Sequence, residues 1–244
     1  MSDVSVVAPP PPPPPPPPRA TTPVFDFVQP FAFTFQDERW LQKVLIGGLF
    51  YLAAFFLVGV FFILGYCARL TRNVVAGVER PLPEWDDLGT YFADGVKLFC
   101  VMLLYAVPFI VIICAFAIPA GIFSAISENR GNDLAQLFAG TLATFVWCLA
   151  FPIGLAMSFW IPGALLFAII EDRIGAAFEF ARIFNFIRNN FVNYLLAFLV
   201  MYLVRFIVPF GMILFCIGMI FTAFWSMVVT TYAFAQAYRV SPTK

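Results

Sequence analysis

The chain has 244 residues, of which 62% are hydrophobic and 11% charged, with 14 basic and 14 acidic side chains cancelling to zero, and a mean hydropathy of +0.90. That is too little polar surface for a water-soluble domain. Zero net charge with a pI near 6.2 excludes nucleic acid as a partner, and the absence of histidine rules out Ser-His-Asp, Cys-His and HExxH chemistry.

The amino terminus runs into ten consecutive prolines at 9–18, a composition that is no signal-peptide core. Such a run forms a polyproline II rod of roughly 30 Å. Residues 1–32 are expected to be a disordered, proline-rich leader acting as a spacer. The competing reading, a ligand for an aromatic groove, has only Arg19 as a flanking basic residue and no repeated PxxP. Residues 25–43 mix Phe25, Phe27, Phe31, Phe33, Phe35 and Trp40 with Asp37, Glu38, Arg39 and Lys43, a blend suited to the membrane-water interface.

From 33 to 239 the apolar blocks predict a multi-pass transmembrane domain, since about 20 apolar residues cover a hydrocarbon core of roughly 30 Å. The first run, 44–70, is long enough for one crossing; a single crossing and a hairpin remain open. Its small residues Gly47, Gly48, Gly59 and Gly65 are places where helices approach closely. The next stretch, RPLPEWDDLGTYFADGVKLF, reads as an amphipathic helix lying in the interface. Pro83 suits a first turn, Glu84, Asp86 and Asp87 complement the positive end of the helix dipole, and Trp85, Leu88, Phe92 and Val96 repeat at helical spacing. The alternative of a metal or acid-base site at these carboxylates lacks a second cluster to complete it, so neither metal nor cofactor is expected.

The second run, 98–126, contains Pro108 and Pro119, which kink a membrane helix. A short polar loop at 127–133 carries one basic residue, Arg130, so the positive-inside rule puts it outside and the arginine-bearing 69–97 segment in the cytoplasm. The third run, 134–170, is long for one crossing and short for two, with breaks expected at Pro152 and Pro162. Residues 171–190 form a second interfacial helix, with Ile174, Ala177, Phe178, Ala181, Phe184 and Ile187 on its apolar stripe. The last run, 191–238, holds two crossings with the turn at Pro209 to Gly211, and a short tail at 240–244 on the cytoplasmic side. The five cysteines, Cys67, Cys100, Cys114, Cys148 and Cys216, have no CxxC spacing and read as small buried hydrophobes. Arg205 is the clear intramembrane charge. It either snorkels to the outer interface or pairs with Glu128 or Asp133 in the outer loop, or else serves transport or gating.

The stretch GYCARLTRNVVAGVERPLPEWDDLGTYFADGVKLF resembles the hallmark of a prokaryotic membrane-protein family, domain of unknown function 4013. The matching positions are Gly65, Tyr66, Arg69, Arg72, Gly77 and Leu82 through Asp87. FEFARIFNFIRNNFVNYLLAFLV resembles the family's second interfacial helix and its entry into the last hairpin. The resemblance implies a multi-pass protein of the cytoplasmic membrane with no assigned activity.

The expectation is therefore an all-α integral membrane bundle of about five to six membrane segments with two amphipathic interfacial helices. Its function is read as non-enzymatic, with Glu84, Trp85, Asp86 and Asp87 offering a cytoplasmic surface to a protein partner or to the lipid bilayer. A transporter or permease subunit with proline- and glycine-broken helices is the alternative. The sequence sets no oligomeric state.

Overall fold

In a computed structural model, residues 24–130, 133–213 and 217–241 are described; most of the proline leader, 131–132, 214–216 with Cys216, and the last three residues lie outside them. The described chain is helical, without strands. A short turn α1 (Gln29–Ala32) and a 3-10 turn (Phe33–Gln36) lead into α2 (Trp40–Ala53), α3 (Val58–Ala76), α4 (Leu88–Arg130), α5 (Asp133–Ile170), α6 (Phe180–Asn189), α7 (Phe191–Ile207) and α8 (Ile217–Arg239). Among the described residues, five helices are long and apolar enough to cross a membrane, and the shorter apolar Trp40–Phe56 joins them. The all-α membrane bundle thus stands as read.

The first apolar run forms a hairpin. A 3-10 turn at Ala54–Phe56 ends α2, and Leu57 takes a left-handed conformation with φ 64° that non-glycine residues seldom adopt. Gly59 makes the return possible, because a Cβ there would stand 2.0 Å from the Phe50 carbonyl oxygen. α2 also lies on α8 through Gly47 and Gly48, where a Cβ would stand 2.1 Å from the Phe224 and Phe221 rings. Both ends of the hairpin therefore meet at the same level of the molecule.

The expected interfacial helix at 80–99 is corrected. Residues 80–87 are not helical, and α4 begins at Leu88 and continues unbroken to Arg130, so the amphipathic pattern belongs to the first turns of a long membrane helix. Asp87 starts it by accepting from the Thr90 N–H at 3.2 Å, as an N-cap residue does. α4 and α5 pack along each other, continuous through Pro108, Pro119, Pro152 and Pro162. At 43 and 38 residues they measure about 64 and 57 Å.

The second amphipathic segment breaks into a 3-10 turn, Ile174–Phe178, and α6. The buried stripe of α6 is Ile183, Phe186 and Ile187, while Ile174, Ala181 and Phe184, expected on the apolar stripe, are exposed. The final run folds as read, with α7 and α8 joined through a 3-10 segment, Val208–Ile213. Asn190 ties the start of α7 to the end of α8 by donating to the Ala237 carbonyl at 2.6 Å.

Two aromatic-rich cores hold the bundle. One gathers Phe167, Phe186, Tyr194 and Phe198 between α5, α6, α7 and α8; the other gathers Phe33, Tyr66 and Phe224 between α2, α3 and α8. Order extends back beyond Phe33, since Phe25 is buried in the first core. The Gln236 amide, oriented by its neighbours, donates to the Asp26 carbonyl at 3.1 Å and accepts from its N–H at 3.0 Å. The described chain thus starts and finishes at the same end. Cys67 is buried, Cys100 half-buried, and Cys114 and Cys148 are exposed; all four are free thiols.

Candidate functional site

The ion pairs among the described residues gather where α3 ends, α4 begins, α5 ends and α6 lies. At this charged end the segment 80–87 forms a strap over the α2–α3 hairpin. Pro81 and Pro83 lack backbone N–H groups and disfavour helix at the residues before them, which leaves the strap's carbonyls to find partners elsewhere. Four consecutive ones do so through four different side chains. Asn73 donates to Pro81 O at 2.9 Å, Lys43 to Leu82 O at 3.0 Å, Tyr66 to Pro83 O at 3.0 Å, and Tyr91 to Glu84 O. α3 releases the chain into the strap through Gly77, at φ 77°, with the Gly77 and Val78 N–H groups donating to the Val74 and Asn73 carbonyls in a Schellman cap.

Trp85 anchors the strap. Its ring stacks on Tyr66 at 4.3 Å and on Phe50 at 4.8 Å, and its indole N–H donates to the Lys43 carbonyl at 3.0 Å. It is half-buried, packed into the bundle rather than lying on the face of a helix. Glu84 turns toward α2, with Arg39 at 2.7 Å and Lys43 at 2.8 Å. The Lys43 ammonium, 4% exposed, also holds Asp37 at 2.6 Å. Burial raises the Asp37 carboxyl, but the Lys43 hydrogen bond, the Arg39 N–H and both positive charges outweigh it, so its pKa falls below the ordinary 3.8.

Over the strap lies a cleft of about 480 Å³ lined by both signs of charge, including Arg39, Arg69, Arg80, Glu84, Asp86 and Asp87. Asp87 is held below its ordinary 3.8 by its bonds to Thr90, with the Arg69 charge contributing. Arg69 and Asp86 make no hydrogen bond or ion pair among the described residues. Among those residues no three carboxylates, thiols or imidazoles converge.

A second network beside the strap was hidden in the sequence. Arg72 reaches Asp94 at 2.5 Å, Asp172 at 3.2 Å and the Ile169 carbonyl at 3.2 Å, and Lys97 reaches Asp172 at 2.9 Å. One guanidinium therefore joins α3, α4 and the end of α5, where it also complements the helix dipole. Asp172 sits at φ 52°, the left-handed conformation in which aspartate is tolerated, and so terminates α5 while presenting its carboxylate. The available signal was cost: Asp94 inside an amphipathic run must be paired to be buried.

Lys97 lowers Asp172 through its hydrogen bond, and Arg173 lowers Glu171 likewise. A carboxyl depressed on folding adds stability above its ordinary pKa and loses it as pH falls through the depressed value. With ordinary values of 3.8 and 4.5, the melting temperature should hold near neutrality and fall on acidification through and below that range. A melt series against pH checks this, and a flat profile down to strong acid would contradict it.

The structure brings Glu84, Trp85, Asp86 and Asp87 together in one strap and keeps Arg205 apart. Arg205 lies about 21 Å along α7 from Phe191, and it pairs with no described residue, Asp133 included; the side chain of Glu128 lies outside them. A family model described as a protein of unknown function (DUF4013) matches residues 48–217. No curated protein and no solved structure matches.

Proposed function

We propose that this chain, which belongs to the DUF4013 family, is a non-enzymatic membrane component whose strap cleft receives a charged segment of a protein partner at the cytoplasmic face. The observation that carries the reading is a division of labour in the family stretch. Gly65, Tyr66, Arg72, Gly77, Glu84, Trp85 and Asp87 are used in packing, capping or pairing. Arg69 and Asp86 instead line the cleft without an ion pair. Opposite charges held apart and solvated suit a partner that brings its own.

The charged end carries Arg39, Lys43, Arg69, Arg72 and Arg80, which supports a cytoplasmic orientation in the cytoplasmic membrane of a prokaryote, with the carboxyl terminus inside. The lipid bilayer surrounds the helices, and headgroups are the competing occupant of the cleft. A photoreactive residue replacing Thr90, which also lines the cleft, in the full chain in native membranes tests this. The expected result is one discrete protein adduct, lost with Arg69→Gln. Lipid adducts alone, or adducts indifferent to Arg69, would remove the partner reading.

A transporter or permease subunit is the second reading, supported by the hairpin broken at Leu57 and by an intramembrane cavity between α3, α5, α7 and α8.

A further inference from the structure

A cavity of about 510 Å³ lies between α3, α5, α7 and α8, away from the strap cleft. Its size is that of a small-molecule site. Leu64, Leu166, Ile169, Met201 and Phe234 give it apolar walls, and no carboxylate lines it. Along α8 it extends from Ala223 to Phe234, about 16 Å, which is roughly half of a hydrocarbon core of about 30 Å.

Two ends of different chemistry follow from the helix directions. At the end nearer the charged face, Thr71 and Thr231 turn their hydroxyls back into their own helices, donating to the Cys67 carbonyl at 2.9 Å and the Met227 carbonyl at 2.8 Å. Both of those threonine protons are thus already engaged, and no charged side chain lines that end. At the opposite end stands Arg205, with Val208 and Pro209 beside it. Its guanidinium makes no ion pair or hydrogen bond among the described residues, and an uncompensated arginine at membrane depth is costly enough to need an anion or water. A planar fork of donors matches a carboxylate in two-point contact.

We propose that this cavity binds a single-chain anionic amphiphile, an alkyl carboxylate, with its head on Arg205 and its chain running inward between α5 and α8. The cavity's volume of about 510 Å³ and its one charged lining residue favour one chain with one head, and the unpaired Arg205 at one end sets the polarity of the ligand. Ser226 and Thr230, one helical turn apart on α8, add hydroxyls to the same wall.

The test uses the full chain in phosphatidylcholine nanodiscs, with radiolabelled dodecanoate as probe and its methyl ester as the uncharged control. Protein-free discs set the background for partition into lipid. Dodecanoate should bind saturably at one site per chain, and the ester should not. Arg205→Gln should weaken binding at least tenfold, Arg205→Lys should keep the charge but lose the two-point contact and bind at an intermediate level, and Thr230→Phe should abolish binding by filling the cavity while leaving the melting temperature in place. Equal binding of acid and ester, indifference to Arg205→Gln, or absence of saturable binding would each overturn the proposal. So would retention of a two-chain anionic phospholipid that dodecanoate does not displace.

Discussion

Gly65→Val should abolish accumulation of the folded protein, and Gly95→Val should do the same from the other side of one helix crossing. A Cβ at Gly65 on α3 would stand 1.8 Å from the Tyr91 carbonyl oxygen of α4, and a Cβ at Gly95 on α4 would stand 1.7 Å from the Phe61 carbonyl oxygen of α3. The contacts are reciprocal and both are with backbone, so no rotamer change relieves them. Overpacking a core against movable side chains costs about 1–3 kcal/mol; here α3 and α4 must separate, and a loss of about 3 kcal/mol or more is expected. Separation would also pull Tyr91 from the strap and Asp94 from Arg72. Gly121 on α4 and Gly140 on α5, by contrast, have nothing within 4 Å of a Cβ. Gly→Ala at either should leave stability unchanged or raise it by up to about 1 kcal/mol through helix propensity. Thermal unfolding in detergent, read beside membrane expression, checks both halves, and a wild-type melt for Gly65→Val would refute the backbone-contact account.

Lys43→Met should be the most damaging change at the charged end. The ammonium serves Asp37, Glu84 and the Leu82 carbonyl at once while only 4% exposed. Removing one member of a buried pair leaves the other uncompensated, typically a loss of about 3–5 kcal/mol. Glu84 retains Arg39, whereas Asp37 retains only weaker help, so the damage concentrates there. The double variant Lys43→Met with Asp37→Leu should recover a substantial part, because an apolar pair of similar volume leaves no stranded charge. If the double variant melts no higher than the single one, the loss comes from the strap carbonyl rather than from the ion pair.

Much of the fold was legible because lipid leaves few options: long uncharged runs must be helices, and the Pro209 to Gly211 turn splits the last run in two as those residue types do. The strap was not. An acidic cluster after a proline followed by Trp85, Leu88, Phe92 and Val96 satisfies the pattern for a helix start, and the pattern holds from Leu88 onward. What shifts the boundary is tertiary: Lys43, Tyr66, Asn73 and Tyr91 come from three helices to take the strap's carbonyls, and Trp85 leaves any helix to enter a slot between Phe50 and Tyr66. The local clue was the pair Pro81 and Pro83, each pushing its predecessor toward an extended conformation. The break at Leu57 left less trace still, since it falls on no proline or glycine and depends on Gly59 meeting Phe50 and on Gly47 and Gly48 meeting α8. Of the candidate site, the residues named from sequence do share one strap, but Trp85 and Glu84 face inward, and Arg69 and Lys43 complete the arrangement from neighbouring helices.

The contact of Gly47 and Gly48 with Phe224 and Phe221 joins α2 to α8, two helices far apart in the chain. About 170 residues separate them, which at roughly 5–20 residues per second is on the order of ten to thirty-five seconds of translation. During that interval the hairpin sits in the membrane with its glycine groove uncovered. A chain truncated before α8 keeps that groove open for as long as it survives, and the close approach at Gly47 and Gly48 exists only once α8 has docked.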